Sequence, residues 1–135
     1  MSALLENKFV LVVDDDADTR ELIRMILTGS GAFTAGAQSV EEALESFRRS
    51  PAHVVIADIR MGSSDGYSLL EAIRKYNLEY RGFTPVIAVT GFASPEDRQK
   101  AQAAGFSAYV AKPFDPDELI TVIERSLRPP TNLAA

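Results

Sequence analysis

Residues 9–16 read Phe-Val-Leu-Val-Val-Asp-Asp-Asp, and the change of character at position 14 sets the fold. An unbroken apolar run rich in valine suits a strand buried on both faces, not one that alternates between core and solvent. Acids then close it. The same grammar recurs down the chain: Val54 to Ala57 runs into Asp58, Val86 to Val89 into Thr90, and Ala108 to Ala111 into Lys112-Pro113. A further run, Ala32 to Ala37, is the weakest. Its Phe33-Thr34-Ala35-Gly36-Ala37 has poor strand propensity and is placed by the alternation alone. Stretches of helical periodicity separate the runs, and this repeated strand-helix order predicts an α/β domain whose parallel sheet is covered on both faces.

Helix starts carry their own signals. Ser39 is followed by Glu42, Asp115 by Pro116 and Glu118, and Ser94-Pro95-Glu96-Asp97 repeats the pattern. Each places a capping oxygen before the first turn and an acid at its third position. Asp16 reads as the N-cap of the first helix in preference to a metal ligand. Glycines 29, 31 and 105 lie where the first and fourth helices should stop, as positive-φ caps. Helices are therefore expected near 17–28, 40–49, 65–76, 95–104 and 116–127. Residues 77–84 are expected to form a polar connection carrying Leu78, Tyr80 and Phe83, with no chemistry of its own.

The chain has 135 residues, 46% hydrophobic and 24% charged, enough for one domain with its own core and too few for a second. There is no cysteine, which excludes disulfides, a cysteine-based zinc site and a thiol nucleophile. Residues 1–8 lack a basic stretch followed by a long apolar run, and charges interrupt every apolar segment, so the expected location is the cytoplasm. Lys and Arg total 14 against 19 Asp and Glu, a formal charge of −5 that disfavours direct binding to nucleic acid. Residues 128–135, with paired prolines and small side chains, read as a solvated tail after a domain spanning 1–127.

In open parallel sheets functional groups collect beyond the carboxyl ends of the strands. Here that rim would hold Asp14, Asp15 and Asp16, then Asp58, Thr90 and Lys112. Carboxylates gathered at one rim repel each other, and a hard divalent cation or a nearby ammonium relieves the repulsion. Lys112 can supply the ammonium. Mg²⁺ is the expected cation, because it takes one or two carboxylates and keeps a position for a phosphoryl oxygen. Such a site suits phosphoryl transfer to an Asp nucleophile. Asp58 ends a run that should be buried, where an unpaired carboxylate is costly, so a functional role outweighs a bland one. Thr90 and Lys112 taken singly would be ordinary surface or strand residues. His53, the only histidine, precedes a strand at the opposite end and reads as structural.

Val12-Val13-Asp14-Asp15, the lone Asp58, Asp65-Gly66-Tyr67, Val89-Thr90-Gly91 and Tyr109-Val110-Ala111-Lys112-Pro113-Phe114, in this order, resemble the receiver domain of bacterial response regulators from about residue 8 to residue 127. The resemblance implies a single-domain, flavodoxin-like, doubly wound (βα)5 fold with strand order 2-1-3-4-5. It implies that Asp58 is the phosphoacceptor, that Asp15 and the backbone carbonyl of Arg60 join it on Mg²⁺, and that Asp14 holds a metal-bound water. Lys112 would contact the phosphoryl group, Thr90 would swing toward it, and Tyr109 would turn into the vacated space. The implied role is signalling, not turnover: a phosphoryl group arrives from a sensor histidine kinase or histidine phosphotransfer protein. The fourth helix, last strand and last helix then present an altered face to an unnamed downstream protein. No membrane contact is implied.

Two departures from the family pattern stand out. Gly62-Ser63-Ser64 occupies the loop after the acceptor where the family usually has proline, and Arg60 and Phe92 are bulky at positions that border the attacking water's path. Slow self-dephosphorylation is the hypothesis drawn from that bulk. The first helix also carries Leu22, Ile23, Met25, Ile26 and Leu27, either a wide core face or a core stripe plus a docking surface at Leu22 and Met25.

Rival readings fit less well. A haloacid-dehalogenase-type phosphatase could use Asp14, yet it needs an acidic pair after the lysine, and Asp115 and Asp117 are better spent on helix capping. A calcium loop at Asp14 to Asp18 lacks its turn glycine and its bidentate acid, since Thr19 and Met25 stand there. A flavin carrier would have its phosphate repelled by the Asp-rich first loop. A receiver-like module that is not phosphorylated remains as a further alternative.

Overall fold

Along each central strand, neighbouring side chains part to opposite sides of the sheet, and both sides are apolar. In the computed structural model, which describes residues 5–61, 64–91 and 93–128, β1 spans Phe9–Val13 and β3 spans Val54–Ala57. Leu11, Val13, Val55 and Ala57 belong to one core cluster, and Val10, Val12, Val54 and Ile56 to the other. This is the period-two alternation of a strand with helices on both faces.

The remaining strands are β2 (Phe33–Ala37), β4 (Val86–Thr90) and β5 (Ala108–Ala111). All pair in parallel, in the spatial order 2-1-3-4-5. The helices are α1 (Ala17–Thr28), α2 (Val40–Arg49), α3 (Gly66–Tyr80), α4 (Pro95–Ala104) and α5 (Pro116–Leu127). Ala43 and Phe47 of α2 and Leu69 and Ile73 of α3 seal the first cluster; Ile23 and Leu27 of α1 and Leu119 and Ile123 of α5 seal the second. The expected α/β architecture and strand order are therefore what the chain adopts.

Some local expectations need correction. The third helix runs to Tyr80, past the expected end at 76. Tyr76 meets Phe47 edge-on at 4.8 Å and Tyr80 packs on Tyr76 at 4.6 Å, so aromatic contacts carry the helix further. It stops at Arg81, whose φ of 55° is left-handed, and the Asn77 side chain bonds both the N–H and the carbonyl of Thr84 across the short remainder. Gly29 keeps a right-handed φ of −63°, and the positive φ falls instead on Gly31 at 94°. Asp115 sits at the N-cap of α5 without a side-chain capping bond, with Pro116 at the first helical position. A two-residue antiparallel ladder of Arg60–Met61 with Ser64–Asp65 was not expected at all.

Ser39, Ser94 and Asp16 do cap their helices, and Asp65, expected inside the third helix, is the cap of α3. Gly105 closes α4 at φ 114°, and a Cβ there would lie 3.1 Å from Arg74 Nη1, the group that donates to Ala104 O at 2.8 Å. Gly105→Ala is expected to cost about 1–2 kcal/mol and lower Tm by roughly 3–8 °C in a thermal melt. An unchanged Tm would mean that the turn relaxes to another conformation.

No helix among the described residues is long and apolar enough to cross a membrane. Phe92, the loop residues 62–63 and the tail from 129 lie outside the described residues, and so do the expectations placed on them.

Candidate functional site

Parallel strands deliver their final residues to one rim, and here β1, β3, β4 and β5 deliver Asp14, Asp58, Thr90 and Lys112. The β5 end is fixed to the β4 end by the Lys112 N–H, which donates to Thr90 O at 2.8 Å. The Lys112 ammonium lies 2.9 Å from Asp14 Oδ2 and 2.9 Å from Asp58 Oδ2. One cation thus bridges two acids drawn from two strands. Asp14 and Asp58 are largely buried, at 3% and 12% side-chain exposure.

Every polar atom of Asp14 is engaged. Its N–H donates to Ala37 O, its carbonyl accepts from Arg20 Nη1 at 2.8 Å, and its Oδ1 accepts from the N–H of Asp16 at 2.9 Å. Burial pushes the Asp14 carboxyl above the usual carboxylate range, against the opposing pull of the Asp16 N–H and the Lys112 ammonium. Burial also works to lower Lys112, but its hydrogen bonds to Asp58 and Asp14 outweigh that and hold it above the ordinary lysine value.

Asp58 Oδ1 accepts from the N–H of Arg60 at 3.2 Å, which turns the carboxylate toward the rim. Close behind it, the Gly66 N–H donates to Ile59 O at 2.7 Å, and a Cβ at Gly66 would stand 2.7 Å from Asp58 O. Asp15 is exposed next to Asp14. Asp16 faces away into its capping role, bonded to both the N–H and the hydroxyl of Thr19. Thr90 is fully buried.

The Tyr109 ring is half-buried under Arg98, 5.0 Å from the ring centre. Its hydroxyl oxygen is out of water with no hydrogen-bond partner among the described residues, and burial raises the phenol's pKa. His53 sits at the far end of the sheet, its Nδ1 accepting from the Phe9 N–H at 2.9 Å, in the structural role expected of it. On α1, Leu22 and Met25 are exposed at 48% and 68% while Ile23 and Leu27 are buried, so the wide-core-face alternative does not hold for those two.

The sequence reading missed Arg20 and the tight approach of Gly66. The signal for Arg20 was a glycine in β2 that strand propensity does not explain.

No three acidic or histidine side chains among the described residues lie close enough to cage a metal. A cation at this rim would be held by one or two carboxylates, backbone oxygen and water. That donor set suits Mg²⁺ and is too sparse for the oxygen cages that Ca²⁺ favours.

The response regulator receiver domain family matches residues 10–124. The chain is similar to an uncharacterized 14.6 kDa protein in the sodA1 3' region of Leptolyngbya boryana, 40% identical over 117 residues, covering 86% of this chain and 87% of that one. It is 39% identical over 126 residues to the probable transcriptional regulator ycf27 of Guillardia theta, covering 93% of this chain but 47% of that protein. Among solved structures it resembles the chemotaxis protein CheY4 of Vibrio cholerae, with a TM-score of 0.81 and 30% identity over 89% of this chain and 98% of that one. With the fold and the rim residues in place, these matches identify the chain as a member of the response regulator receiver domain family of two-component signalling. The haloacid-dehalogenase reading is thereby set aside.

Proposed function

We propose that Asp58 accepts a phosphoryl group and that the Lys112 bridge to Asp14 and Asp58 is the resting form of that acceptor. The observation that carries this is the single ammonium held 2.9 Å from both carboxylates. In the transfer, a carboxylate oxygen of Asp58 forms a bond to phosphorus while the phosphorus–nitrogen bond of a phosphohistidine donor breaks, the imidazole leaving with its electron pair and taking a proton from solvent. Lys112 is placed to follow the new negative charge, and Thr90 ends the neighbouring strand where its hydroxyl can donate to a phosphoryl oxygen. The acyl phosphate adds charge and acceptor oxygens at the rim and so biases a two-state equilibrium, which Tyr109 would report by burying its ring more deeply.

Asp15, Asp58 and the Arg60 carbonyl are the residues we assign to Mg²⁺, with Asp14 holding a coordinated water. When bound, the metal neutralises charge between acceptor and phosphoryl oxygens.

The donor is assigned as a sensor histidine kinase or histidine phosphotransfer protein, docking on the exposed Leu22 and Met25 of α1. The output face is assigned to α4, β5 and α5. On this reading residues 1–127 are the receiver unit and 128–135 a tail, acting in the cytoplasm as a phosphoacceptor whose only chemistry is on itself.

The test is intact-protein mass after incubation with acetyl phosphate and Mg²⁺. One phosphate adduct that needs Mg²⁺, is lost in alkali and is absent from Asp58→Ala is expected. Adduct formation that survives Asp58→Ala would overturn the assignment.

A further inference from the structure

We propose that Arg20 is a positioning residue for this site: laid across Gly36, its guanidinium fixes the Asp14–Asp15 peptide and so aims the Asp15 carboxylate at the cation. The inference rests on the reading of Asp58 as acceptor and Asp15 as metal ligand.

Arg20 lies one turn into α1, its own N–H bonded to Asp16 O. Its side chain is only 16% exposed, and its Nη1 donates to the Asp14 carbonyl at 2.8 Å. A peptide unit is planar, so a carbonyl held in one direction also fixes the next Cα. That next Cα belongs to Asp15. The Asp14 N–H is already held by Ala37 O and its carboxylate by Asp16 and Lys112. Arg20 therefore restrains the remaining rotation between a buried, anchored residue and its exposed neighbour.

The stem of Arg20 reaches the rim by crossing β2 at Gly36. A Cβ there would lie 3.2 Å from Arg20 Cδ and 3.3 Å from both Cδ and Nη1 of Arg24. Glycine weakens a strand interior, and a close approach by another part of the chain is a usual reason for one. Arg24 secures the same crossing a turn later, with Nε 3.1 Å from Thr34 Oγ1. The weak strand propensity of Phe33 to Ala37 and the geometry of the acid rim are thus two sides of one arrangement.

A role through charge alone makes the opposite prediction, which is what makes the idea testable. Removing a cation near the acid rim strengthens the rim's attraction for Mg²⁺, whereas releasing the peptide weakens binding. Mg²⁺ titrated calorimetrically into wild type, Arg20→Met, Gly36→Val and Asp15→Asn separates these effects. We expect Arg20→Met and Gly36→Val each to weaken Mg²⁺ binding by about tenfold. In ¹H–¹⁵N spectra both should shift the amides of Asp15 and Asp16. Gly36→Val keeps every charge and favours the strand, so it carries the test if Arg20→Met fails to fold.

Tighter Mg²⁺ binding in Arg20→Met with unchanged binding in Gly36→Val would overturn the positioning role. Unchanged Mg²⁺ binding in Asp15→Asn, or none in wild type, would overturn the metal-site reading itself and Arg20's role with it.

Discussion

Lys112→Met is expected to destabilise the protein by roughly 2–3 kcal/mol at neutral pH without Mg²⁺, measured by urea denaturation. Removing one partner of a fully buried ion pair costs about 3–5 kcal/mol, because the other charge is left out of water without compensation. Lys112 retains 23% of its side-chain exposure, which places the expectation below that range. Two carboxylates lose their shared counter-ion at once, and the methionine keeps the stem's apolar packing while deleting the charge. Asp14, at 3% exposure, bears the larger penalty. Added Mg²⁺ should then stabilise the variant more than it stabilises wild type, since a ligand that binds only the folded state contributes in proportion to its affinity. The variant should also gain its acetyl-phosphate adduct far more slowly. Equal stability of the two proteins, with equal Mg²⁺ response, would show that the bridge at the rim is not what neutralises these acids.

The rim was legible in the sequence because each of its members sits where an apolar run ends. Asp14, Asp58 and Lys112 were singled out from that position and from charge alone, and the structure brings all three into one hydrogen-bonded group. Strand boundaries were legible for the same reason, since a strand buried on both faces must break its apolar run where it leaves the core.

What was not legible depends on partners distant in sequence. The length of α3 is set by Phe47 of α2 meeting Tyr76, a contact that no local pattern encodes. The glycine of β2 looked like poor propensity until two arginine stems from α1 were found across it. The capping grammar at Asp115 matched the sequence rule, yet the side chain makes no capping bond. Pattern rules therefore located the residues of the rim better than they located the contacts that hold them in place.

Gly66→Ala is the change expected to damage fold and site together. Gly66 is buried at the first position of α3, and its N–H is committed to Ile59 O at 2.7 Å. A methyl group built on it would stand 2.7 Å from Asp58 O and 3.1 Å from Ile59 Cα, both backbone atoms with no flexible end to yield. Either α3 moves outward or the segment after β3 shifts toward the rim. Overpacking of this kind costs about 1–3 kcal/mol, and a urea or thermal melt should register it. The more telling effect is on Asp58, the proposed acceptor. A displacement of about 1 Å in a reacting group can cost on the order of 100-fold in rate. The backbone that carries Asp58 is one of the two parts that can yield. Adduct formation with acetyl phosphate should therefore fall by at least tenfold in Gly66→Ala. If the variant is destabilised but phosphorylates at the wild-type rate, α3 has taken up the whole displacement, and Gly66 serves the packing of that helix without governing the position of Asp58.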